Sequence, residues 1–239
     1  SRFYLSTKDD LMKRFGGERF DRALMMLSGK EKDEVPLESK MFSRFVESAQ
    51  KKVEGYNFDR RKSVVEYDEV LRKQREIIYG QRKDILFLDN MEPQIERMMD
   101  SVIERYIDKY ALSEKKKTVV DTEPFMEEFV NKFFNYNTFD EVDFEDETID
   151  DVKQMIKDKF LENLKEKKDI VPPEVYQEFL KVVLLRSVDK YWMDHIDQMS
   201  SLRQSIGLQS YAQINPLREY QNIGFEMFET MVANIEDEV

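Results

Sequence analysis

Between Leu37 and Phe87 apolar residues return every three or four positions, at Phe42, Phe45, Val46, Ala49, Val53, Phe58, Val64, Val65, Val70, Leu71, Ile77 and Ile78. That spacing marks one face of an α-helix. No proline interrupts the stretch after Pro36, and only Gly55 and Gly80 weaken it. The pattern predicts one helix on the order of 70 Å long at 1.5 Å per residue, far beyond the average helix. One small domain cannot bury such a helix, so it must lie across several domains or pair with another long helix.

The same period resumes from Glu174 to Ile206, with Tyr176, Phe179, Val183, Ser187, Tyr191, Met193 and Ile196 as its stripe. It returns once more at Leu217, Tyr220, Ile223, Met227, Phe228, Met231 and Ile235. Two successive helices joined by a short connection pack antiparallel, so the C-terminal part is expected to be a helical hairpin with Tyr211 near its tip. Between the long helices, Asn90 to Pro93 breaks the pattern and Pro172-Pro173 sets a hard boundary. Shorter helices are predicted over Gln94 to Tyr110, Pro124 to Phe134 and Ile149 to Lys165, with the acidic run Asp140 to Asp151 read as a solvated connection. At the N-terminus, Arg2 to Leu5 reads as a strand, and Thr7 with Asp10 as a capping box for a helix that ends at Gly16-Gly17. A single terminal strand normally belongs to a sheet, and the chain opens on Ser1, so a piece of a longer protein is expected. The fold class is all-α, with a short strand-helix remnant of an α/β domain in front.

Composition narrows the chemistry. Charged residues make up 37% of the 239 residues and apolar ones 41%, a balance suited to long, well-solvated helices. The net charge of -12 argues against a broad nucleic-acid surface, which needs Lys and Arg to neutralise phosphates. Cysteine is absent, so disulfide frameworks and Cys-based zinc sites are excluded. The longest purely apolar run, Val182 to Leu185, is far too short to span a bilayer.

Few residues suggest catalysis. His195, the one histidine, stands between Asp194 and Asp197 in "WMDHID", but a catalytic metal needs several converging ligands; a helix-surface or interface histidine is the expectation. The acidic run lacks EF-hand spacing. "SGKEK" at Ser28 to Lys32 lacks the glycine-rich approach of a P-loop. Trp192 is expected to anchor the hairpin to the first long helix. Tyr211 could contact a partner or fold back over the hairpin end, and the loop pattern leaves both open.

Three ordered stretches carry a resemblance. "SAQKKVEGYNFDRRKSVVEYDEVLRKQREIIYGQRKDIL" closely resembles the long scaffold helix of the SecA family of preprotein translocase motors, through Asn57, Asp59, Arg61, Tyr67, Asp68, Gln74, Arg75, Tyr79 and Arg82. "SRFYLSTKDDLMKRFGGER" is similar to the end of that family's second nucleotide-binding domain, and "DKYWMDHIDQMSSLRQSIGLQSYAQINPLREYQNIGFEMFE" to its two-helix finger. The resemblance implies a motor-domain tail over 1–35, a scaffold helix over 36–87, a helical wing over 88–171, and a scaffold continuation with the finger over 172–239.

The resemblance also implies a function. The parent would be an ATPase, using ATP and Mg2+ in motor domains upstream, that drives unfolded preproteins through a SecYEG-type channel. It would work on the cytoplasmic face of the bacterial membrane as a peripheral protein, and could form a homodimer. This part of it would carry no cofactor and no catalytic residue. Tyr211, flanked by Gln209 and Ile214, matches the fingertip that contacts substrate or channel, and Trp192 with the scaffold-helix residues named above would serve interdomain packing. Ser205, Gly207 and Gln209 replace the glycine, histidine and arginine usual in the family, removing positive charge beside the tip, so a general motor and an accessory paralogue both remain open. A freestanding helical adaptor that only binds proteins is the alternative.

Overall fold

A computed structural model describes residues 5–6, 8–27, 40–113, 118–135, 137–139, 142, 144, 147–209 and 215–239. Its described elements are almost entirely helical, as the patterning requires. The chain divides into two units, Ser1–Glu69 and Val70–Val239, and the division falls inside the long helix.

In the first unit, α1 (Asp10–Phe15) begins at Asp9, whose carboxylate accepts the Leu11 amide at 2.8 Å. The cap is therefore Asp9; Thr7 lies outside the described residues, as does the expected strand except for Leu5, which is exposed and irregular. Gly17, at φ 77°, supplies the left-handed turn that glycine allows and leads into α2 (Glu18–Leu27). Sequence patterning missed α2. Phe20 of α2 meets Phe42 and Phe45 at the start of α3 (Lys40–Phe87), with ring centroids 6.0 and 5.9 Å apart and edge-to-face. Met12, Phe20, Phe42 and Ala49 form this small core.

The second unit has two cores that share two helices. α4 (Glu92–Tyr110) places Ile95, Met98 and Met99 against the end of α3, against α8 (Pro173–Gln209) and against α9 (Pro216–Glu238). Its later residues Val102, Ile103, Tyr106 and Ile107 enter a separate phenylalanine-rich lobe. That lobe also takes a two-stranded hairpin, β1 (Ala111–Ser113) with β2 (Thr118–Val120), in antiparallel register Ala111↔Val120. A helical segment follows, made of α5 (Thr122–Phe125), a π-helical turn (Met126–Val130) and α6 (Asn131–Phe133). α7 (Ile149–Ile170) closes the lobe and is the second shared helix, its Phe160 packing against both cores. The π turn holds Phe129 4.9 Å from Phe125 in a stack and 4.9 Å from Phe133.

Two expectations are corrected here. The acidic stretch is not merely a solvated connection: Phe144 within it is 0% exposed and packs on Phe125 and Phe139. Burying an aromatic ring of this size is strongly favourable, so one apolar residue among many charges can still enter the core. Within the stretch, the Thr148 hydroxyl accepts the Asp151 amide at 3.2 Å and caps α7.

The stripe on α8 is also shifted. Tyr176, Leu180, Leu184, Val188, Trp192, His195, Met199 and Ile206 face inward, whereas Phe179 is 58% exposed and Met193, Val175 and Val182 are exposed as well. α8 carries apolar residues on opposite faces, so period alone could not say which face meets the core.

Candidate functional site

The hairpin of α8 and α9 and its junction with α3 form the candidate site. α8 and α9 run antiparallel: Met199 lies against Gly224, the His195 ring against Phe228 at 5.8 Å, and Lys190 binds Glu238 at 3.2 Å. Asn215 starts α9 by accepting the Leu217 amide at 3.1 Å, with Pro216 in the first turn. A Cβ on Gly224 would fall 2.8 Å from Met199 Cε; glycine lets the two helices approach this closely.

At the same level a buried polar chain crosses three helices. Gln74 of α3 donates its amide N–H to the Gly224 carbonyl of α9 at 2.8 Å. Its Oε1 lies 2.9 Å from His195 Nε2 of α8. The Gly224 oxygen can only accept, so the amide orientation is fixed and His195 Nε2 is the donor. His195 is 2% exposed and its Nδ1 is buried without a hydrogen-bond partner. Burial pushes its pKa below the usual imidazole value. Of the two places expected for this histidine, the helix surface and an interface, it takes the second: it is buried where α8 meets α3 and α9, bonded to Gln74 and packed between Trp192 and Phe228.

Further along, Trp192 packs edge-on to Tyr79 with centroids 6.5 Å apart, and Arg82 pairs with Asp189 at 2.5 Å. Gln177 of α8 accepts the Met91 amide at 2.8 Å and so fixes the corner between α3 and α4.

The end of α9 is held by the lobe. Arg105 of α4 binds Glu236 at 2.8 Å and also Asp237. Asp237 takes Lys132 at 2.7 Å and the Tyr106 hydroxyl at 3.0 Å, while Ser101 donates to Glu236 at 2.9 Å. Burial works against the Lys132 ammonium, but its bonds to Asp237 and Tyr106 outweigh it and hold its pKa above the ordinary value. Replacing Arg105 by Met keeps most of the aliphatic bulk and leaves two largely covered carboxylates short of a partner. The expected loss is about 1–3 kcal/mol, read as a lower urea midpoint. An unchanged midpoint would mean that Lys132 and Ser101 suffice.

The residues singled out by sequence separate into groups. Gln74, Tyr79, Arg82 and Trp192 come together at the junction just described. Arg75 is exposed on the same helix. In the first unit Asn57, Asp59, Arg61 and Asp68 are exposed and Tyr67 is half-buried. Tyr211 and Ile214 lie outside the described residues, and Gln209 is the last residue of α8. Ser205 turns its hydroxyl back onto the Leu202 carbonyl at 2.9 Å. Sequence patterning missed Gly224, Met199 and the inward role of His195. A glycine inside the strong apolar period of α9 was the available signal, since such a glycine often marks close helix approach.

Among the described residues no group of three or more His, Asp or Glu could hold a metal ion. No described helix is long and apolar enough to cross a membrane. What the geometry defines is a helical scaffold: a long helix, a hairpin keyed to it by a buried polar chain, and an aromatic lobe clamped to the hairpin's end. Residues 36–239 match the family model described as the SecA Wing and Scaffold domain, and the chain belongs to that family. It is accordingly a region of a SecA-type protein translocase.

Proposed function

We propose that this chain is the mechanical part of a preprotein-translocating ATPase, with the α8–α9 hairpin as its working finger and the phenylalanine-rich lobe as its wing. The observation that supports this most is the family match over 36–239 together with a hairpin anchored partway along, at His195 and Gly224, and at the end of α9. Secure anchoring leaves the connection between Gln209 and Asn215 as the place where the hairpin can meet something else, and Tyr211 is its aromatic residue. In this proposal Tyr211, with Gln209 and Ile214 beside it, touches an unfolded preprotein or the mouth of a SecYEG-type channel. ATP and Mg2+ act in motor domains of the parent protein, which works as a peripheral protein on the cytoplasmic face of the membrane and can pair with a second copy.

Ser205, Gly207 and Gln209 favour an accessory member with its own substrates. They leave the tip less positively charged, and loop chemistry is where specificity varies.

The test uses the parent protein. Tyr211→Ala should leave its melting temperature unchanged and slow preprotein transport roughly tenfold, the effect of truncating one aromatic anchor. A photo-crosslinker at Tyr211 should capture substrate or channel during transport. Crosslinks only to the chain's own helices would sink the fingertip role, and an equal loss of folding and transport would point to a tyrosine that folds back over the hairpin.

A further inference from the structure

The ring of His195 sits where three helices meet, and its hydrogen-bonding capacity there is already determined. Nε2 carries a proton because it must donate to Gln74 Oε1. Neutral His195 therefore presents a bare lone pair at Nδ1, buried and without a partner. A bare lone pair in such a place is tolerable, whereas a second N–H there would bring a positive charge and a donor into a site that offers no acceptor.

Among the described residues the ring bonds Gln74 of α3 and packs on Phe228 of α9 and on Trp192 of its own helix, and Gln74 carries the chain on to the Gly224 carbonyl of α9; none of these groups is ionised. The charged residues nearby in sequence, Asp194 and Asp197 on α8, Lys73 and Arg75 on α3, and Glu226 and Glu229 on α9, are all exposed. Burial lowers its titration, and among the described residues no carboxylate bonds or pairs with the ring.

We propose that His195 is a proton-operated release for the α3–α8–α9 junction: the ring can take its second proton only when that junction opens to water. Opening would break the Gln74 bridge to both other helices, so the hairpin would loosen from α3 as the solution turns acid. The sign follows from a histidine held below its free value. The junction is fully stable above the unfolded-state value of about 6.5. It weakens as pH falls from there toward the lowered folded-state value, where the effect saturates. Uptake of one proton makes opening up to about tenfold more frequent per pH unit in that window.

The chain has one histidine, so its imidazole C2 proton gives a single NMR signal that reports the site directly. The experiment follows that signal through a pH titration. In parallel, amide protection factors, corrected for intrinsic exchange, are compared at pH 7.5 and pH 5.5. The expected result is a titration midpoint below 6.5, with protection of residues 70–78, 192–199 and 220–228 falling several-fold or more while residues 102–107 and 152–156 of the lobe hold theirs. The paired variant Gln74→Leu with His195→Leu removes the polar chain and should keep protection at both pH values. A midpoint at or above 6.5, equal junction protection at both pH values, or a pH response that persists in the paired variant would each overturn the proposal.

Discussion

Replacing Phe129 by alanine should cost the phenylalanine-rich lobe about 3–5 kcal/mol, the range for truncating a large, fully buried aromatic ring. Phe129 is 0% exposed and touches more aromatic rings than any other side chain described for the lobe, meeting Tyr106, Phe125, Phe133, Phe134 and Phe160. The space it leaves cannot collapse easily. Its neighbours come from α4, from the π turn's own flanks and from α7, and each of those elements is tied elsewhere. Among the described residues, the lobe core and the core between α3, α8 and α9 meet only at α4 and α7, where Phe160 packs against both, so most of the loss should stay in the lobe. Hydrogen exchange should show the amides of 122–133 and 152–160 losing protection while those of 184–199 keep theirs. If both sets fall together, α4 and α7 couple the two cores into one cooperative unit.

The second large effect is expected at Gln74. Gln74→Ala removes a buried side chain that bridges two other helices and leaves the His195 Nε2–H without an acceptor. Together the lost packing and the stranded donor should cost about 2–4 kcal/mol. Combining Gln74→Leu with His195→Leu should cost far less than the sum of the two single changes, because two apolar groups of similar size leave no orphaned polar atom. Equilibrium denaturation of the single and paired variants gives the coupling. An additive result would mean that the hydrogen bond contributes nothing beyond packing. Gly224 sets the distance across which the bridge forms. Enlarging it would push on Met199 first.

Much of this architecture is legible in the order of residues. The periodicity from Phe42 to Ile78 marks α3, and the breaks at Asn90–Pro93 and Pro172-Pro173 mark its corners. Tyr220, Met231 and Ile235 identify the buried side of α9. Other features are hidden for physical reasons. On α8, Phe179 and Met193 compete with Leu180, Leu184 and Val188 for the inward face, and only the partner helices decide between them. The hairpin of β1 and β2 is two strands of three residues each, too short for an alternating pattern to emerge. Phe144 is masked by the acids around it. At the site, Trp192 could be identified as an anchor from its type alone. The bridge through Gln74 depends on a contact 150 residues apart in the chain, and no local pattern encodes it.

The acidic finish of α9 has a further consequence. A helix presents partial negative charge at its C-terminus, yet α9 ends on Glu236, Asp237 and Glu238. Left alone, such an end would fray. The cations that quiet it belong to other elements: Arg105 on α4, Lys132 on α6 and Lys190 on α8. The lobe thus behaves as a cap supplied from more than a hundred residues away. Linkage makes that relation reciprocal. Whatever free energy the seated lobe adds to the last turn of α9, an ordered last turn adds equally to the seating of the lobe. A pull that unwinds the hairpin's second helix from its end must therefore weaken the lobe's attachment, and a lobe that lifts away must shorten the helix.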